Sequence, residues 1–178
     1  MYGYHAVSAA LNNPNRVKSE LMITTEVNKR LKAENISLKE LSIKTSIVQR
    51  NEIDHILGKG INHQGICLKT EKIKKIEIKE LIENQNSETS SLIILDQLED
   101  SQNVGAIFRS ALAFNIGGII LTENQSVSEN DFIAKTACGG LDKIPFTSVP
   151  NLSSCIRMLK DNGYWIYGLD GSGKSNIT

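Results

Sequence analysis

The sequence contains no long apolar run. None approaches the roughly 18 to 20 residues that a membrane-spanning helix needs, so no membrane partner is expected. The opening, MYGYHAVSAALNN, lacks the basic-then-apolar layout of a secretory signal, and a cytoplasmic chain is the expectation. Cysteine is scarce: Cys67, Cys138 and Cys155 stand far apart, in neither a metal-ligand spacing nor an even disulfide set. They read as reduced thiols, buried or idle, and no metal is expected. Net charge is absent as well, with 20 Lys+Arg against 20 Asp+Glu. Dividing the chain recovers the information. Residues 1–75 hold 13 basic against 7 acidic groups, and residues 76–178 hold 7 against 13. A basic front half suits a polyanion such as RNA, although a solvated surface produces the same bias.

The 178 residues suffice for one ordinary domain or two small ones. Residues 84–91, NQNSETSS, are polar and without apolar periodicity, and read as a linker between residues 1–83 and 92–178. In the front part LMITT (residues 21–25) and GICLKT (65–70) read as strands, with helical spacing over 26–33 and 47–57. The helix HAVSAALNN ends at Asn13-Pro14, where proline forbids continuation. In the back part SLIILD is nearly continuously apolar, the mark of a strand buried on both faces of a parallel sheet. There follow a helix over 103–114, the strand GGIILTE, a helix over 129–136, the strand PFTSV, a helix over 152–160 and the strand YWIYGLD. Four strands alternating with three helices predict an α/β fold with a parallel sheet and right-handed crossovers. Ligands bind such sheets outside the carboxyl ends of the strands.

One famous pattern is present: GLDGSGKS, from Gly168 to Ser175, matches the phosphate-loop pattern of nucleotide hydrolases. A phosphate loop needs a helix beginning at its Lys-Ser, so that backbone N–H groups and the helix dipole face the phosphates. Only three residues follow Ser175, too few for a stable helical turn. The pattern also follows the last strand of its domain rather than the first. A nucleotide binder is a remote alternative.

More informative is LDQLEDSQNVGAIFRSALAFNIGGIIL, residues 95–121. A strand ends at Asp96, a polar loop runs to Asn103, and a helix follows with Gly105 in its first turn. Asn103 is suited to cap that helix, and Gly105 admits close approach of another backbone or a ligand. Arg109 interrupts a stretch of Ala, Ile, Phe and Leu. It is either a surface residue that snorkels to water or one that faces an anion, and its chemistry alone favours the surface.

The segment resembles the first motif of the SpoU/TrmH family of RNA ribose 2′-O-methyltransferases, D-x-x-x-D-P-x-N-x-G-x-x-x-R. Asp96, Asp100, Asn103, Gly105 and Arg109 fall in its places, and Ser101 stands where the family has proline. YGYHAV (Tyr2 to Val7), the triplet His63-Gln64-Gly65, and KTACGGLDKIPF (residues 135–146, with Ala137 and Cys138 in the small-residue places) resemble further family segments in the same order. The likeness points to the branch that methylates guanosine in 23S ribosomal RNA.

The resemblance implies a small α/β RNA-binding domain in front, similar to ribosomal-protein-like kink-turn binders, and behind it a SPOUT methyltransferase domain. In the family the end of that second domain ties a trefoil knot around S-adenosylmethionine, and the proteins are homodimers. The partner would be structured RNA, ribosomal or transfer. A ribose hydroxyl is a weak nucleophile, and an arginine is a poor base. The family role of the motif arginine is therefore read here as stabilisation by Arg109 of the developing alkoxide or a phosphate. Asn103 would position Arg109 or the ribose, with a helix cap as its other reading. RNA-binding candidates are His5, Arg16, Lys29, Arg30, His63 and Gln64, with packing as the alternative for the two histidines. The family's second motif, G-x-E-G-x-G, and its third, containing S-L-N-V-S, supply most of the donor pocket, and neither occurs in these 178 residues. The expectation is an incomplete SPOUT domain lacking the knot, inactive alone, with YWIYGLD at an unfinished sheet edge. An RNA-binding module without catalysis is the alternative.

Overall fold

The computed structural model describes residues 1–38, 43–85, 90–123 and 130–169. In the front lobe, β1 (Lys18–Ile23) lies between β2 (Lys44–Ile47), which runs parallel to it, and β3 (Ile66–Thr70), which runs antiparallel. Side chains alternate across a strand. Leu21 and Ile23 of β1 and Ile66 and Leu68 of β3 accordingly share one core with Val7 and Leu11 of α1 (Tyr4–Asn12) and Val27 and Leu31 of α2 (Thr25–Ala33). The helix expected over 47–57 divides in two. Ile47 and Val48 are β-branched and extend the pairing with β1, where the Val48 N–H donates to the Ile23 carbonyl at 2.9 Å. The helix α3 (Arg50–Leu57) starts only after Gln49, whose N–H donates to the Glu52 side chain at 2.8 Å in a capping-box arrangement.

In the back lobe β4 (Leu92–Leu95), β5 (Gly118–Thr122) and β6 (Phe146–Val149) are all parallel, in that spatial order. Helices α5 (Ser101–Ala113), α6 (Asp131–Thr136) and α7 (Gly140–Lys143) cover one face, where Phe108, Ile133 and Leu141 meet Ile119 and Leu121. Helices α4 (Ile78–Glu83) and α8 (Leu152–Asp161) cover the other, where Leu81 and Leu159 meet Ile120. Burial on both faces thus belongs to β5. In β4 only Leu95 is fully buried, because no strand pairs with its outer edge among the described residues.

Two expectations change. The short helices α4 and α7 escape the periodicity reading because neither completes two turns. YWIYGLD does not form a fourth strand over its described residues. Tyr164 and Ile166 pack against the α8 side of the sheet, while Trp165, Tyr167 and Leu169 are exposed. The in-out spacing is that of a strand, but no backbone ladder joins Tyr164–Leu169 to a neighbour. Of the expected linker, Gln85 is tied to the back lobe through the Leu81 carbonyl at 2.7 Å and Ser90. Residues 86–89 lie outside the described residues.

Candidate functional site

The cap of α5 is Asp100, whose carboxylate accepts from the Gln102 N–H at 2.8 Å. Asn103 is therefore not the cap; it lies inside the first turn, exposed, with no side-chain hydrogen bond among the described residues. The loop ends earlier than expected because an aspartate caps as well as an asparagine does and precedes Ser101. That serine occupies the first helical position, where proline is commonly favoured. Instead its hydroxyl accepts from the Asn130 side chain at 3.1 Å, tying the starts of α5 and α6 together. Arg109 is exposed on the same helix and makes no ion pair among the described residues. Six residues separate Asn103 from Arg109, about 9 Å along the axis and 240° around it. They share a helix but not a face, so Asn103 does not hold Arg109 directly.

What holds Arg109 is the backbone beneath it. Added at Gly140, a Cβ would lie 2.5 Å from the Phe108 carbonyl oxygen and 3.3 Å from the Arg109 nitrogen. Helix α7 thus abuts the very peptide that carries the arginine. Gly105 makes the matching approach to α6, where a Cβ would sit 2.7 Å from that of Thr136. The close neighbour of Gly105 is a helix.

The same α6–α7 segment meets the front lobe. A Cβ on Gly139 (φ 93°) would lie 2.8 Å from that of Ala9 in α1. Three residues on, Asp142 takes the Arg16 guanidinium on both oxygens, Nε to Oδ1 at 2.6 Å and Nη2 to Oδ2 at 3.2 Å. Asn13 donates to the same Oδ1 at 3.1 Å. Both charged side chains are withdrawn from water, at 0% and 1% exposure. This corrects the reading of Arg16 as an RNA contact: it is the buried half of a bidentate pair that joins the two lobes. Nearby, the Lys18 ammonium donates to three carbonyls at the end of α1, those of Ala10, Leu11 and Asn13, and burial lowers its pKa.

His63 is also fully buried. Its Nδ1 accepts from the Gly65 N–H at 3.1 Å, which places the ring proton on Nε2, 3.2 Å from Asp54 Oδ1. The packing alternative is the one observed, and His63 does not reach the surface. Gln64 is exposed, but its Oε1 is engaged by the Tyr4 N–H at 2.7 Å, at the start of α1. His5, Lys29 and Arg30 are exposed. The Arg30 guanidinium carbon sits 3.5 Å from the centre of the Tyr4 ring and its Nε 3.1 Å from Glu34. Tyr4 is buried and its hydroxyl has no hydrogen-bond partner among the described residues; burial first, then the Glu34 carboxylate, push its pKa up to about 12.

At the carboxyl ends of the back strands stand the exposed Asp96 and the Thr122 hydroxyl, which is buried without a partner among the described residues. A polar ligand outside this edge would find acceptor and donor there. The phosphate-loop pattern lies mostly outside the described residues, and Gly168 follows irregular chain instead of the strand such a loop requires. Burial pushes the Cys67 and Cys155 thiols up, while Cys138 is exposed. Among the described residues, no group of three His, Cys, Asp or Glu could hold a metal ion, and no helix is long and apolar enough to cross a membrane. Sequence reasoning missed Asp142 and Asp54. The signal available for Asp142 was an acid directly after the small and apolar run ACGGL.

Residues 1–76 match the family of RNA 2′-O ribose methyltransferase substrate-binding domains, and residues 90–178 match the SpoU rRNA Methylase family. The chain is 33% identical to the 23S rRNA (guanosine-2′-O-)-methyltransferase RlmB of Neisseria meningitidis, over 99% of this chain and 71% of that one. It is 31% identical to RlmB of Coxiella burnetii, over 94% and 68%. Among solved structures, the SpoU methyltransferase AviRb of Streptomyces viridochromogenes superposes with a TM-score of 0.68 at 14% identity, covering 91% of this chain and 57% of that one. The AdoMet-bound rRNA methyltransferase of Sinorhizobium meliloti does so with a TM-score of 0.68 at 20% identity, covering 91% and 57%. At these identities the structures speak for the fold, and the chain spans less than two thirds of their length. The substrate-binding match in front, the SpoU match behind and the RlmB likeness across both lobes agree: the chain belongs to the SpoU rRNA methylase family.

Proposed function

We propose that this chain carries the RNA-substrate lobe and the first catalytic motif of an RNA ribose 2′-O-methyltransferase, acting on structured ribosomal RNA in the cytoplasm. The observation that supports the reading is the α6–α7 segment. It packs α1 of the front lobe on one side and the Phe108–Arg109 peptide on the other, so an RNA seated on Lys29, Arg30 and His5 is registered against an exposed arginine. Arg109 keeps its charge at every working pH and stabilises negative charge that develops on the ribose oxygen or belongs to its phosphate. Asn103, on another side of α5, hydrogen-bonds the RNA and leaves Arg109 to the reacting oxygen. S-adenosylmethionine supplies an electrophilic methyl on sulfur. The Asp96 carboxylate and the buried Thr122 hydroxyl fit one wall of a nucleoside site, and the 178 residues by themselves do not complete that site. The homodimer that the family resemblance implies belongs to this reading too, with the exposed Trp165, Tyr167 and Leu169 available to a second copy.

Two titrations of the purified chain test it. Structured 23S ribosomal RNA fragments bind with micromolar affinity and weaken several-fold in a Lys29→Ala, Arg30→Ala variant; unchanged binding refutes the RNA-facing surface. Calorimetry with S-adenosylmethionine gives no saturable heat; saturable binding shows instead that the donor site is complete, and methyl transfer to the same fragments, lost in Arg109→Ala, then becomes the direct assay.

A further inference from the structure

A cleft of about 200 Å³ opens beside α3, lined by Asn51, Asp54, His55, Lys59 and Gly60. Asn51, Asp54 and His55 come from one side of the helix, since positions three and four apart are neighbours. Lys59 and Gly60 close the cleft from the turn that follows. Its carboxylate is aimed. Asp54 is one-third exposed, and its Oδ1 is held at 3.2 Å by the Nε2–H of a histidine that is itself entirely buried. That ring is fixed in turn by the Gly65 N–H on its Nδ1. No ion pair joins Asp54 to Lys59. The most basic part of the chain therefore presents one oriented acceptor group between a cation, an imidazole and an amide.

A carboxylate only accepts hydrogen bonds. Among the four RNA bases, guanine alone carries two adjacent donors, N1–H and the 2-amino group, on its pairing edge, with the O6 acceptor beside them. Adenine and uracil alternate donors and acceptors there, and cytosine sets one donor beside two acceptors. That edge is free only when the nucleotide is unpaired, and unpaired bases stacked on aromatic rings are what proteins read in RNA. The cleft is smaller than the roughly 300 Å³ at which drug-sized sites begin, a size suited to one planar base.

We propose that the front lobe reads an unpaired guanine in this cleft. Asp54 accepts from N1–H and the 2-amino group, the Asn51 amide donates to O6, His55 stacks on the ring and Lys59 meets the flanking phosphate. The proposal rests on the reading of the chain as RNA-binding. The guanine concerned is a docking base on the front lobe, separate from the nucleotide whose ribose faces Arg109.

The test is an anisotropy titration of the full 178-residue chain with three labelled RNA hairpins, identical except for one bulged nucleotide: guanosine, inosine (which lacks the 2-amino group) or adenosine. Guanosine binds tightest by about tenfold, within the range of a bidentate base contact. In Asp54→Asn the amide oxygen still accepts from His63, so the melting temperature stays while the guanosine preference disappears. Lys59→Ala weakens all three hairpins alike and reduces the salt dependence. Equal affinity for the three hairpins, or a preference that survives in Asp54→Asn, overturns the guanine cleft. If they bind equally yet lose affinity in the Lys29, Arg30 variant, the RNA-binding reading stands without the cleft. If no hairpin binds below about 100 μM, the weak limit of non-specific contact, both fall together.

Discussion

The seam between the lobes and the outer face of α5 treat the same side chain in opposite ways. At the seam Arg16 is sealed from water against Asp142, with Asn13 sharing the same oxygen. On α5, Arg109 stands exposed and unpaired among the described residues. A guanidinium without water must have its partner built in, because an uncompensated buried charge is costly. One left in water is available to a partner that arrives from outside. Burial thus separates an arginine that assembles the molecule from one that can act on a substrate, and α7 touches both, through Asp142 and through Gly140.

The sharpest way to break that contrast is Asp142→Ala. It takes the carboxylate away from the buried Arg16 guanidinium, whose Nη1 keeps the Glu71 carbonyl, removes an acceptor from Asn13, and should cost roughly 3 to 5 kcal/mol in urea unfolding. Replacing both partners by apolar residues, Arg16→Met with Asp142→Leu, should recover most of that loss; a double variant as unstable as the single one would show that the pair does more than neutralise charge. Gly140→Ala comes next, at roughly 1 to 3 kcal/mol, because the new methyl meets the backbone carbonyl of Phe108, which cannot turn aside. Hydrogen exchange at the Phe108 and Arg109 amides should quicken in that variant and in Asp142→Ala, but not in Lys59→Ala. Arg109→Ala itself should leave the unfolding midpoint within about 0.5 kcal/mol of the parent, the opposite of what Arg16 substitutions do.

A further effect, absent at neutral pH, concerns Tyr4. The folded Tyr4 phenol titrates near 12 against 10.0 for the free group, so the native state keeps a proton that the unfolded chain has lost in between. Stability falls as pH rises through that window, and the contribution is fully present below 10. Tyr4→Phe should be close to neutral at pH 7, because the hydroxyl has no hydrogen-bond partner among the described residues. Between pH 10 and 12 it should remove roughly 2 kcal/mol of the alkaline loss, read from paired melting curves.

Much of the architecture was legible from local pattern. The run LIIL, the spacing of Val104, Phe108 and Ala111, and the Asn13-Pro14 stop each depend on neighbours within a turn or two, and each element formed. The cap of α5 was misplaced by three residues because Asp100 and Asn103 are both good caps and local chemistry does not rank them. The division of 47–57 into a strand end and a helix depended on pairing with Ile23, far away in sequence. Tyr164–Leu169 carries strand spacing, yet spacing does not provide a neighbour to pair with.

By itself the sequence determined the family, through four motifs in order, and the positions of most helices and strands, because hydrophobic periodicity acts locally. Only the tertiary structure decided which polar residues face water. Arg16 and Asp142 are 126 residues apart, and Tyr4 and Gln64 are 60 apart. Such pairs form only once the sheets and helices have brought them together, and it is the desolvation they undergo there that sets whether a charge is structural or free to bind.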